Sequence, residues 1–214
     1  MTSPSRASHL PSSASYTRET YKRRDEHKAR TGNEHEESYV LTLHTDRDHH
    51  MLLTSLRDKY FPPAINKLAA HIALFRALPG SQLPRLTHDI TRLTHSQAPF
   101  SVLASQPFRM KHGVGIHVKD DSGRLRSIYE DLKAQWTSFL SQQDRSFAPH
   151  YTVQNKVTDD AKVDQTLMEL TDLFHGSRGQ ALGLSLYRYE RGYWRKVEDF
   201  IFGDRKVLAS VGHE

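Results

Sequence analysis

Two segments of this 214-residue chain repeat one pattern, and that repeat constrains the fold more than any composition figure does. Each opens with a histidine at the head of an extended run, His71-Ile72-Ala73-Leu74-Phe75 in the first and His150-Tyr151-Thr152-Val153 in the second. A polar turn follows each run, and then an amphipathic helix starting near Ser81 or Asp159. In a strand, residues i and i+2 point to the same face. His71 and Ala73 therefore project together, away from Ile72 and Leu74, and His150 and Thr152 project away from Tyr151 and Val153. The pattern predicts two similar lobes, each presenting one histidine, related by an approximate twofold axis.

The remaining periodicity fills in the lobes. Residues 39–43 read as a strand, and Asp46 or Asp48 caps a helix whose apolar stripe is Met51, Leu52, Leu56 and Tyr60, stopped by Pro62-Pro63. Leu83, Leu86, Ile90 and Leu93 share a face of the helix after Ser81. Three strand-like runs at 100–104, 108–111 and 114–118 are separated by Pro107 and Gly113. Asp121-Ser122-Gly123 opens a helix bearing Leu125, Ile128, Leu132, Trp136, Phe139 and Leu140, and the helix near Thr158-Asp159 turns Val163, Leu167, Leu170 and Phe174 inward. Runs at 182–189 and 194–202 meet at Arg191-Gly192, a hairpin signal. Strands and helices interleave, but the hairpins demand antiparallel pairing, so the class is α+β. Residues 1–37, nearly empty of large aliphatics, are expected to be a disordered tail; 38–204 form the domain and 205–214 a C-terminal tail.

Composition excludes several chemistries. With no cysteine, disulfides, thiol nucleophiles and thiolate zinc sites are ruled out. No apolar run approaches the roughly 18 residues of a membrane span, and the N-terminus has no apolar signal region. A soluble monomer of the cytoplasm or nucleus is expected. The net charge of +5 favours a phosphate-bearing partner, and the nearly balanced tail leaves the positive excess on the domain. His44-Thr45-Asp46-Arg47-Asp48-His49-His50 has the look of a metal cluster, yet its charges fall where a strand ends and a helix is capped, which needs no metal. No cofactor is expected. Arg109 and Lys111 share a strand face and would hold nucleotide phosphates or serve as a solvated edge; Tyr187 and Tyr189 share another and would stack a base or simply pack.

The runs His71-Ile72-Ala73-Leu74 and Phe147-Ala148-Pro149-His150-Tyr151-Thr152-Val153, with Ala77-Leu78-Pro79-Gly80 and the terminal Leu184-Ser185-Leu186-Tyr187, Trp194 and Phe202 strands, resemble the two-histidine phosphoesterase superfamily, the 2′-5′ RNA ligase-like and cyclic phosphodiesterase proteins. The resemblance covers residues 38–204. It implies a bilobal fold of antiparallel sheets with helices packed outside, a central cleft, and metal-free chemistry on 2′,3′-cyclic phosphates or phosphodiesters of nucleotides or RNA ends. Cleaving a phosphodiester calls for a base on the attacking oxygen and an acid on the leaving one. Histidine, with a pKa of about 6.5, fills either role near neutrality. Which of His71 and His150 is acid and which is base stays open. Thr152 would bind a non-bridging oxygen. Ala73 departs from the motif, which carries Thr or Ser there, so a catalytically reduced nucleotide- or RNA-binding module is the alternative.

Overall fold

The computed structural model describes residues 29, 31 and 35–203; most of the predicted N-terminal tail and all of residues 205–214 lie outside them. Among the described residues the chain runs β1 (Ser38–Thr45), α1 (Arg47–Tyr60), β2 (Ala73–Pro79), α2 (Leu83–His95), β3 (Phe100–Met110), β4 (Gly113–Lys119), α3 (Arg124–Trp136), β5 (His150–Gln154), α4 (Asp160–Leu173), β6 (Ser177–Glu190) and β7 (Tyr193–Ile201). Glu36 and Glu37 already belong to the domain. The Glu36 carboxylate accepts from Ser81 N at 2.7 Å, and Glu37 pairs with Arg188 at 3.1 Å.

All strand pairs are antiparallel, in the order β2-β1-β6-β3-β4-β5, with β7 also on β6. The long β6 is shared. Its residues 177–181 pair with β3, whereas Gly183–Glu190 pair with β7 along the same edge, and β1 occupies the other edge. Two four-stranded halves result, β2-β1-β6-β7 and β5-β4-β3-β6, each ending in a strand that carries or follows a motif histidine. This α+β architecture matches the expectation.

Helices cover the sheet from outside. α1 packs on β5 and α4 on β3 and β4, while α2 lies on β7 and α3. One continuous core runs through both halves, and Phe75, Tyr129 and Trp136 form its aromatic centre at centroid separations of 5.2 and 5.1 Å. No helix among the described residues is long and apolar enough to cross a membrane.

Several elements differ from expectation, each for a local reason. On α1 the buried residues are His49, Leu53 and Arg57, while Met51 and Leu52 are exposed. Leu56 and Tyr60 of the expected stripe pack against the core, but two polar side chains with specific partners take the places expected for Met51 and Leu52. The runs at 100–104 and 108–111 are a single strand, β3, because Pro107 sits at a register shift against β4 that spares it a ladder donor. Lys111 consequently falls in the β3–β4 turn, off the strand. β6 begins at Ser177, ahead of the expected 182. Its glycines weaken the strand signal but are needed there, since a Cβ on Gly183 would lie 2.2 Å from Phe200 O. The hairpin signal is met by Arg191 and Gly192, both at positive φ (50° and 93°).

Candidate active site

The two motif histidines are held identically. His71 Nδ1 lies 2.8 Å from Ala69 O, and His150 Nδ1 lies 2.8 Å from Ala148 O. A carbonyl only accepts, so Nδ1 carries the proton of each neutral ring and Nε2 is the basic nitrogen. Both rings are half-buried, and their flanking residues Ile72 and Tyr151 are 1 % exposed. The predicted alternation therefore holds at both motifs. His71 itself stands two residues ahead of β2, where Leu43 N fixes the chain by donating to Ile72 O at 3.0 Å.

Around His150 the register of β4 and β5 sets His117 opposite His150 and Gly115 opposite Thr152. Phe108 of β3 lies over Gly115, stacks on His117 at 4.0 Å between centroids, and meets His150 edge-on at 5.7 Å. Only glycine permits this, because a Cβ on residue 115 would come within 2.7 Å of the Phe108 ring. Burial pushes the His150 imidazolium below its ordinary pKa, the Ala148 hydrogen bond opposes that, and the nearby cations Arg76 and His117 add to the depression.

Around His71 the partners are different. Its ring centroid is 4.4 Å from that of Trp194, which is 5.7 Å from Tyr187. Ala73 pairs across the strand with Thr42, whose hydroxyl is 3.5 Å from Ser185 O. The methyl of Ala73 thus stands beside a hydroxyl on the neighbouring strand. His71, Thr42, Tyr187 and Trp194 border a cavity of about 540 Å³.

β2 and β5 are opposite ends of the six-strand order, yet three polar residues join them. The buried Arg57 guanidinium donates to Leu68 O (2.9 Å), just before His71, to Asn66 Oδ1 (2.9 Å), and to Thr152 O (2.6 Å) within the second motif. Asp144, 2 % exposed and on the segment leading to His150, accepts from the backbone N–H groups of Arg76 and Ala77 on β2 at 2.7 and 3.1 Å. The Arg76 side chain reaches close enough to His150 to shift its titration. The sheet is curled so that its end strands approach with the motif residues on them.

The other expected site residues fare variously. Arg109 is directed at α4, pairing with Asp160 and Asp164 at 2.7 Å each. Lys111 is exposed in its turn, away from Arg109's strand face. Tyr187 borders the cavity beside His71, whereas Tyr189 pairs with Trp194 further along the hairpin. Asp46 caps α1 by accepting from His49 N at 3.0 Å and also takes Gln180 N at 2.6 Å. Arg57, Arg76, Phe108 and His117 escaped the sequence reading as site residues, because only strand register and helix docking bring them to the motifs.

Antiparallel halves sharing a strand, with two equivalently tethered imidazoles, define the class of the fold. The sequence matches the model of the 2′-5′ RNA ligase superfamily over residues 45–192, more than half of the chain, and the protein belongs to that superfamily. No curated protein sequence matches it. Among solved structures, Escherichia coli LigT complexed with 3′-AMP is similar at 15% identity and a TM-score of 0.56, over 79% of this chain and 99% of that one. The Thermus thermophilus protein TT0787 is similar at 17% identity and a TM-score of 0.53, over 78% and 98%. A phosphoesterase is similar at 13% identity and a TM-score of 0.57, over 79% and 99%. These likenesses show the fold.

Proposed function

We propose that the protein is a metal-independent phosphoesterase acting on 2′,3′-cyclic phosphates or phosphodiesters of nucleotides or RNA ends, with His71 and His150 as the acid–base pair. The observation that carries this reading is the matched tether, Nδ1–H to the carbonyl two residues back, at both histidines. It gives each ring a fixed orientation and an Nε2 able to take a proton when neutral or give one when charged. In-line displacement at phosphorus uses one of each, on opposite sides of the phosphate. Burial lowers the His150 pKa and so favours its neutral form, which suits the base. Thr152 donates to a non-bridging oxygen, and Arg76 balances charge on the phosphate. LigT has been crystallised with 3′-AMP, a ligand of the expected product type, which supports the nucleotide as substrate class.

The test is turnover of 2′,3′-cyclic nucleotides and cyclic-phosphate-ended oligoribonucleotides by wild type, His71→Ala and His150→Ala, with and without EDTA. Activity should survive the chelator and fall at least about 10²-fold in either variant. Loss of activity in EDTA, with recovery on adding metal, would refute the mechanism.

Ala73 favours a second reading, a nucleotide-binding module with reduced catalysis. Ala73→Thr separates the two, since restoring one transition-state donor should raise kcat by up to about 10²-fold if that donor alone is limiting. An unmeasurable rate in both proteins, with nucleotide binding intact, selects the binding module.

A further inference from the structure

The cavity beside His71 has a one-sided lining. His44, Arg47, His50, Lys67, His71 and Lys196 all border it, and no aspartate or glutamate does so among the described residues. Asp199 stands outside the lining, against three of its residues. It takes Lys196 Nζ at 2.8 Å and the Ser185 hydroxyl at 2.5 Å, and stands 3.8 Å from His44 Nδ1. One carboxylate therefore serves several basic groups. The crowding is felt within the cluster: partial burial first, then His44 and Lys196, hold the His50 imidazole below its ordinary pKa.

Arg47, Lys67 and Lys196, with imidazole N–H donors beside them, make a positive field that is strongest inside the concavity and favours a bound anion. The cavity, at about 540 Å³, falls within the range of small-molecule sites, and Lys67 is held at its rim by the Tyr193 ring, 4.3 Å from Nζ to centroid. His71 borders the same cavity as Lys67, His50 and Lys196, so a nucleotide engaged at His71 would extend its next phosphate toward them.

We infer that this cavity is a second phosphate subsite, in which Lys67, His50 and Lys196 bind a phosphate group one nucleotide away from the one that reacts. The inference rests on the phosphoesterase reading above and deepens it, since it sets the substrate class as nucleotides carrying at least two phosphate groups. The second phosphate is either the internucleotide linkage of an RNA end or a terminal phosphate on a single nucleotide.

The experiment compares kcat/KM on three substrates: adenosine 2′,3′-cyclic phosphate, its 5′-phosphorylated form, and a diadenylate ending in a 2′,3′-cyclic phosphate. Wild type should prefer at least one two-phosphate substrate over the first by about tenfold or more, the worth of one charge-assisted contact. Preference for the diadenylate alone identifies an RNA end, and preference for the 5′-phosphorylated nucleotide alone identifies a terminal phosphate. In Lys67→Ala and His50→Gln the preference ratio should shrink toward one. Equal efficiency on all three substrates, or a ratio unmoved by both variants, overturns the inference. Titration calorimetry of adenosine 3′-phosphate and of its 5′,3′-bisphosphate into His150→Ala reads the same ratio as Kd without turnover. A Kd preference that Lys67→Ala removes, where wild type turns over none of the three substrates, sinks the catalytic reading and keeps the subsite; wild-type turnover without preference does the reverse.

Discussion

Replacing Arg57 by methionine should uncouple the two motif segments while leaving most of the hydrophobic core intact. The guanidinium is 5 % exposed, donates to three acceptors, and lies 3.9 Å over the Phe61 ring. Nε–H is shared between Asn66 Oδ1 and Leu68 O, so two donors serve the three acceptors. At a net of about 1.5–3 kcal/mol for each hydrogen bond to a charged group, they contribute about 3–6 kcal/mol, a figure that already contains the desolvation by which burial draws the guanidinium pKa down to about 10. The loss is read as a fall in the urea midpoint at unchanged slope. Activity measured well below the new midpoint should fall further than stability explains. A displacement of about 1 Å between acid and base costs on the order of 10²-fold, and that loss belongs in kcat with KM nearly unmoved. Arg57→Lys keeps the charge but cannot span the three acceptors, so it should share the kcat defect. A midpoint equivalent to less than about 1 kcal/mol of destabilisation, or a kcat equal to wild type, would refute the assignment of Arg57 as the link between β5 and the segment before His71.

Further outcomes follow from the same geometry. Arg76→Gln removes a positive charge near His150, so the His150 pKa should rise toward 6.5; an NMR titration that finds it unchanged or lower contradicts the placement. Gly113→Ala would put a Cβ 2.0 Å from Gln154 O and 2.8 Å from Asn155 Cα, both backbone atoms that cannot step aside. It should destabilise by at least about 1–3 kcal/mol and disturb β5, and an unshifted melting temperature would argue against the β4–β5 register. His49 is 3 % exposed, and burial, with His50 adding, pushes its pKa down despite Asp46, as burial does for His50 and His150. With folded pKa values below the unfolded value near 6.5, the unfolded chain binds more protons as pH falls through that region. Melting temperature should therefore be flat above about pH 7.5 and decline toward pH 5, before carboxylates titrate; a flat profile across that window would rule out a buried neutral His49.

What could be read from the sequence were features whose cause is local. Alternation at His150-Tyr151-Thr152-Val153 needs only the strand period, and Arg191-Gly192 needs only a pair of positive φ angles. Both motif histidines came from such local patterns plus the family resemblance. The β6 start and the polar part of the packed face of α1 were not legible, because tertiary contacts override propensity there. Gly179 is strand because His49 occupies the space a Cβ would fill, 2.4 Å away, and α1 turns His49 and Arg57 inward because partners wait for them on β5, β6 and the loop after α1. The partners of Arg109 were not legible for the same reason, since Asp160 and Asp164 lie some fifty residues later in the chain.

Arg57 and Asp144 together answer a problem that hydrophobic burial cannot solve for this fold. A sheet ending in β2 and β5 leaves two edges with unpaired backbone groups, and a non-directional core does not dictate how near those edges come. Here side chains complete the edges instead of strands. Asp144 takes the N–H groups of Arg76 and Ala77 on one, and Arg57 takes the Thr152 carbonyl on the other. Each of these side chains also reaches, or belongs to, the segment leading into the opposite histidine: Arg57 through Leu68 ahead of His71, Asp144 through its own place ahead of His150. Satisfying the edges and tying together the segments that carry the two histidines are therefore one structural act. Burial pushes the Asp144 carboxyl upward while its backbone donors and Ser141 hold it down, the signature of a carboxylate kept inside by directed bonds. A polar group retained at that cost in a fold with ample apolar core is best understood as fixing a distance.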